Sequence, residues 1–300
     1  MLTKRRLVDK PSYWGFLFVL PWLLGFLVFT AGPMLTSLYL SFTKYDLNTI
    51  QFVGTKNYHR LFYEEPLFWK SLQVTITYAI FSVPLGISAS LGLAILLNQK
   101  VRGQRVFRTL FYLPSLVPAV ASSLLWIWIF NPDYGLLNYA LSLFGIGGAE
   151  WLMDEKYTLG AFIVMSLWGA GGGRMIIFLA GLQGISDTYY EAARLDGASH
   201  WQQFRFITIP QLSPVIFFNL ILGIIGAFQV FTTAYIMTGG GPNNATLFYA
   251  LSIFRNAFEY FKLGKASAMA WVLFVILLII TAVQFWGSKR WVYYEGEAKS

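Results

Sequence analysis

The sequence predicts an all-α, polytopic membrane protein, and three observations lead there. Only 12% of its 300 residues are charged, while 56% are hydrophobic. Soluble domains carry about a quarter charged residues, so this chain has too few to cover a water-facing surface. Several runs are free of charge for longer than the roughly 20 apolar residues that cross a bilayer as a helix. Residues 11–43, 71–99, 109–132, 206–254 and 266–288 contain no charge, and 157–182 contains only Arg174. Aromatic residues make up 18% of the chain, in keeping with the Trp and Tyr belts of membrane interfaces.

The first span is expected over 13–42, after a tail bearing Lys4, Arg5, Arg6 and Lys10. Basic residues before an apolar run also describe a signal peptide. This run is far longer than the roughly 7–15 residues of a signal core, contains Pro21 and Pro33, and shows no convincing cleavage site. It therefore reads as an uncleaved span. The second span, 70–98, is longer than a bilayer needs and must tilt or continue into water. The third falls at 108–130. After it, Gly135-Leu136-Leu137-Asn138-Tyr139-Ala140-Leu141 carries an apolar stripe suited to lying flat at an interface. The fourth, 157–182, is interrupted by Gly169-Ala170-Gly171-Gly172-Gly173, which should weaken the helix just before Arg174. The uncharged stretch 206–254 is too long for one element. Pro210, Pro214 and Gly239-Gly240-Gly241-Pro242 punctuate it, so a span fits at 214–237 and Asn243–Phe254 falls at or above the interface. The sixth span is 266–287. This gives a membrane domain over 13–287, a connecting loop over 184–213, and tails at 1–12 and 288–300.

Six spans place both termini on one side. That side holds the tail cations together with Lys100, Arg102, Arg105, Arg108, Arg194, Arg205, Lys289, Arg290 and Lys299. The other side has fewer basic residues, offset by acidic ones. The positive-inside rule then puts both termini in the cytoplasm. The net charge of +8 is a topology signal on this reading, and no nucleic-acid partner is expected. The absence of cysteine excludes disulfides and thiolate sites. Two histidines, His59 and His200, cannot build a histidine metal cluster.

The loop between spans four and five is the richest segment. Thr188 and Glu191 have capping-box spacing, Ala192, Ala193, Arg194 and Leu195 favour helix, and Gly197 can end it in a left-handed conformation. Ser199 and Gln202 repeat the capping-box spacing. Trp201, Phe204 and Ile207 then share one face, and Pro210 closes the segment. Short helices are marginal in water without a packing partner. The exposed Trp201, Phe204 and Phe206 want a groove, either on the membrane domain itself or in another protein.

Glu191-Ala192-Ala193, Gly197, Ile207 and Pro210, with nine residues between Gly197 and Ile207, resemble the EAA loop of ABC importer permeases. Ile209 stands where leucine is usual. Asp196-Gly197-Ala198 and Thr238-Gly239-Gly240-Gly241-Pro242 look like the carbohydrate branch, and the likeness to the larger-subunit type of the maltose system runs from span one to the C-terminus. The resemblance implies a type I importer permease fold in a bacterial inner membrane. It implies a second permease chain, distinct and homologous, together with two cytoplasmic ATPase subunits and an external solute-binding protein. It also implies that Glu191, Ala192, Ala193, Asp196, Gly197, Ile207 and Pro210 contact the ATPase. The chain has no P-loop, since Gly264-Lys265 is followed by Ala266 and lacks a glycine five positions earlier. No cofactor is expected on it, and ATP with its magnesium is used by the partner subunits.

For the substrate path, Arg174 is the first candidate, because a charge at membrane depth marks function by default. It either faces a cavity or a partner, or snorkels to the headgroups. Phe228, Gln229, Thr232 and Thr233 offer aromatic, amide and hydroxyl groups suited to sugars, in the stretch where the resemblance places cargo contacts. Trp168, Ser166, Ser115 and Ser122 are further candidates. Helix packing explains such residues equally well, because small and polar side chains also join spans. A permease for glycerol phosphate esters, polyamines or amino acids is the nearest rival. An ion-coupled secondary transporter is another, weakened by the lack of acidic residues in any span. No catalytic constellation is legible, so the chain is not expected to be an enzyme.

Overall fold

The computed structural model describes residues 11–46, 49–99 and 102–293. Lys4, Arg5, Arg6, Lys10, Lys100 and Lys299, on which part of the charge argument rests, lie outside the described residues. The described chain is almost wholly helical and divides into two packed units.

The first unit takes in residues up to Glu64 and Ile253–Phe274. Helix α1 (Pro11–Phe26) runs through a π-turn at Leu27–Ala31 into α2 (Gly32–Ser41). Together they form a span-length rod over Trp14–Ser41. Phe18 and Phe29 on it are about four-fifths exposed, at 79% and 81%, as expected of a surface that lipid covers. Beyond it comes the one departure from all-helix structure among the described residues, a short antiparallel hairpin of β1 (Thr43–Tyr45) and β2 (Ile50–Phe52). Asp46 Oδ1 accepts from the Thr49 amide and hydroxyl and tightens its turn. In α3 (Lys56–Tyr63), the buried Asn57 donates to the Ser41 and Thr43 carbonyls at 2.8 Å each, tying hairpin to helix end.

The second unit takes in Glu65–Ser252 and the chain from Val275 onward. Helix α4 (Pro66–Asn98) is 33 residues long, about 50 Å at 1.5 Å per residue, so the expected excess length is present. It packs on several other segments of this unit, introduced next. The third span is not one straight helix. After α5 (Gln104–Tyr112) and a 3₁₀ turn at Leu113–Leu116, the chain bends by 96° into α6 (Ala119–Ile129). Val117 is extended, and Pro118 precedes α6 without an amide to continue the ladder. Short helix α7 (Leu136–Ser142) buries none of its residues. The fourth span breaks where its glycines predict: α8 (Glu155–Trp168), a 3₁₀ turn at Gly169–Gly171, then α9 (Gly173–Gly184), bent by 48°.

Two helices of the loop, α10 (Asp187–Leu195) and α11 (His200–Gln203), lead through a π-turn at Phe204–Thr208 into α12 (Ile209–Phe228). Pro210 does not close the loop. It sits in the first turn of α12, and the helical rod enters from His200 and continues through it to Phe228. After a break at 229–231 come α13 (Thr232–Met237), α14 (Tyr249–Phe254) and, past a π-turn, α15 (Leu263–Ser288). Helix α4 lies against α8, α9 and α12. Ser90 on it donates to the Ala170 carbonyl at 2.7 Å, capturing an acceptor freed by the glycine break. Counting each bent pair as one, six span-length passages result.

The segment after α13, expected at or above the interface, packs into the helices: Leu247, Phe248, Tyr249 and Leu251 are fully buried or nearly so. Phe248 meets the Tyr78 ring edge-on at 5.1 Å and Phe162 at 5.6 Å. The Tyr249 amide donates to Thr75 Oγ1 at 2.9 Å. Uncharged over its whole length, this stretch can sink into the helices where an ordinary loop would strand polar groups.

Candidate functional site

Two features of the second unit combine chemistry with accessibility: a cavity at the break in the fourth span, and the helical elbow over 186–210.

The cavity has a volume of about 380 Å³, within the usual range of ligand pockets (about 300–1,000 Å³). Its walls come from α4 (Tyr78, Ser82, Gly86), the 3₁₀ turn after α5 (Ser115), the end of α8 (Ser166), the glycine break, and α12 (Gly223, Gly226). Arg174, one residue into α9, lines it too, half-buried. The guanidinium lies between two glycines. A Cβ added at Gly86 would sit 2.9 Å from Nη1, and one at Gly223 would sit 3.3 Å from Nη2. Gly171 and Gly172 admit the opposite wall, since added Cβ atoms would lie 2.1 Å from the Phe111 carbonyl oxygen and 2.8 Å from Ser115 Cβ. Close acid–base contacts at His59–Glu64, Arg60–Glu64 and Arg255–Glu259 lie elsewhere among the described residues. Arg174 takes part in none of them.

Of the residues expected on a substrate path, the structure brings Ser115, Ser166 and Arg174 together in this cavity. It places the others elsewhere. Trp168 stands edge-on to Trp126, 6.0 Å away. Phe228 is buried at the end of α12, and Gln229, exposed, caps that helix. Thr232 and Thr233 open α13. Sequence reasoning missed Tyr78, Ser82 and Gly86. Their signal was present: with Ser90 they recur every four residues, one face of a helix.

The elbow is built by its own caps. Ser186, not Thr188, caps α10, accepting from the Thr188 amide. The helix starts earlier than the Thr188–Glu191 spacing suggested, because Ser186 is extended and its hydroxyl already faces that amide. The helix ends at Leu195 in a Schellman arrangement. Ala198 N–H donates to Ala193 O at 2.8 Å and Gly197 N–H to Arg194 O at 3.1 Å, with Gly197 at φ +78°. Ser199 and Gln202 form the expected capping box. Tyr190 Oη and Thr208 Oγ1, 3.0 Å apart, join the two arms, and Gln203 Nε2 donates to the Ala198 carbonyl at 2.9 Å. Glu191, Ala192 and Asp196 are exposed, and Ala193 and Ile207 are half-buried. Leu195, Trp201 and Phe206 are 90%, 67% and 70% exposed. The elbow is capped at the start of both helices and presents large apolar side chains outward.

Residues 82–292 match the family described as binding-protein-dependent transport system inner membrane component. The chain is similar to the probable ABC transporter permease protein YesP of Bacillus subtilis, 44% identical over 99% of this chain and 97% of that one. It is similar to the trehalose/maltose transport system permease protein MalF of Thermococcus litoralis, 36% identical over 93% and 94% of the two chains. Among solved structures, a chain of a bacterial alginate ABC transporter in complex with an alginate pentasaccharide-bound periplasmic protein superposes with a TM-score of 0.84. At 24% identity over 95% of this chain and 98% of that one, it has the same fold.

Proposed function

The chain belongs to the family of binding-protein-dependent transport system inner membrane components, and from that premise we propose that it forms one half of the membrane pathway of an ATP-driven carbohydrate importer. A second, homologous permease completes the pathway, an external binding protein delivers the sugar, and two cytoplasmic ATPase subunits drive the cycle with ATP and magnesium. The membrane domain spans 13–287, and the tails 1–12 and 288–300 and the loop 184–213 lie in the cytoplasm. Carbohydrate cargo is supported by relatives named for trehalose and maltose and for lactose transport, and by a cavity walled with hydroxyl groups and a glycine-rich backbone.

The elbow carries this reading. Glu191, Ala192, Ala193, Asp196 and Gly197 form the contact with the ATPase, and Leu195, Trp201 and Phe206 enter its groove. Ile207 and Pro210 pass movement into α12, because the helix runs on from the elbow without interruption to Phe228. α12 in turn lines the cavity. A push on the elbow is thereby a displacement of the cavity wall. Ser115 and Arg174 face the sugar within the cavity. Trp168, Phe228, Gln229, Thr232 and Thr233 border the route at the breaks of spans four and five.

The test is co-purification in mild detergent. The wild-type chain should bring an ATPase companion. A Trp201→Glu/Phe206→Glu double variant should reach the membrane and lose that companion by about tenfold or more, as hot-spot residues do. Full retention by the double variant would contradict the elbow contact.

A further inference from the structure

We propose that the Arg174 cavity holds a carboxylate of the transported molecule, so that the cargo is an acidic oligosaccharide carrying uronic-acid units. The inference rests on the carbohydrate-importer reading and adds the chemical class of the sugar.

Three observations carry it. Arg174 is a cation within a passage of span length, and it lines a cavity. Among the described residues no carboxylate pairs with it, and an unpaired charge at membrane depth is costly unless a ligand supplies the counter-charge. The glycines at 86 and 223 leave the space that the guanidinium occupies; any side chain there would crowd Nη1 or Nη2. The fork is thus housed by backbone on both sides while the cavity stays open before it.

The rest of the lining selects among anions. Tyr78, Ser82, Ser115 and Ser166 supply neutral hydroxyls, which suit the ring hydroxyls of a sugar. One planar guanidinium matches one planar carboxylate through two parallel hydrogen bonds. A dianionic phosphate ester would leave charge unmatched at this single cation, and a polyamine would meet a like charge.

The experiment uses the full chain with its co-purified companions in lipid nanodiscs. Two probes are titrated: digalacturonate, and the neutral disaccharide made by reducing its carboxyl groups. The wild type should bind the acid at least about tenfold more tightly, as a charge-assisted pair requires. Arg174→Gln should abolish the preference, so that the acid binds no more tightly than the neutral probe, whereas Arg174→Lys should keep part of the preference. Equal binding of the two probes by the wild type, or a preference that survives Arg174→Gln, overturns the inference and leaves the carbohydrate reading standing. Loss of the second permease from Arg174→Gln, with no change in relative affinity, also overturns it and assigns the charge to a subunit contact. If neither probe binds nor alters ATP hydrolysis while an amino acid does both, the inference and the carbohydrate reading fall together.

Discussion

Gly171 shows how tightly the broken fourth span is fitted. Its missing side chain lets the backbone pass the Phe111 carbonyl, and a Cβ there would lie 2.1 Å from that oxygen and 2.8 Å from its carbon. Both are backbone atoms and cannot turn aside. Gly160, on the helix before the break, has nothing within 4 Å of its Cβ position. Gly171→Ala should therefore destabilise the purified protein by about 1–3 kcal/mol through forced backbone shifts. Gly160→Ala should be neutral or stabilising by about 0.5–1 kcal/mol, since alanine restricts the unfolded chain and favours helix. Thermal unfolding in one detergent checks the pair, and equal midpoints for both variants would contradict the close approach. The same residue-scale logic houses Arg174: a glycine on each neighbouring helix replaces side chains that would evict it.

At the scale of elements, the elbow depends on the left-handed turn at Gly197. Its φ of +78° suits glycine, while its Cβ position is open, so a substitution there strains conformation without creating a clash. Gly197→Val should keep the chain in the membrane and alter the angle between α10 and α11. In reconstituted vesicles, sugar uptake should fall about tenfold or more while ATP hydrolysis continues, a shift in the ratio of the two. An unchanged ratio would contradict the lever. The elements also show what was legible beforehand. Apolar runs of span length, charge-free except for Arg174 in the fourth, mark all six passages, because lipid leaves no other place for them. The glycine cluster at 169–173 marks a break, since consecutive glycines weaken a helix wherever they fall. The 96° bend before α6 was not legible. Pro114 and Pro118 signal an interruption, but the angle is set by what packs on either side. The buried stretch 245–251 was also missed. A run without charges reads as loop when flanked by glycine and proline, and nothing local says that Phe248 will find the Tyr78 and Phe162 rings. The elbow's motif was legible in residues 191–210, yet the first cap fell on Ser186, whose hydroxyl accepts from the Thr188 amide and also bonds the Thr188 hydroxyl.

At the scale of the whole molecule, the chain is incomplete by its own chemistry. Leu195, Trp201 and Phe206 are exposed beside Glu191, Arg194 and Asp196, a mixture that suits neither lipid nor isolated life in water. Arg174 likewise faces a cavity without a counter-charge among the described residues. A motor on another polypeptide and an acidic cargo would answer these two deficits separately. For that motor to grip it, the elbow must face the cell interior. The chain contains no cysteine, so Ser199→Cys introduces a single thiol at its apex. The measurement is labelling of that thiol by a membrane-impermeant maleimide in intact cells and in inside-out vesicles. The account predicts labelling in the vesicles, blocked when the ATPase companion is bound, and none in intact cells. Labelling in intact cells would place the elbow outside and contradict the account.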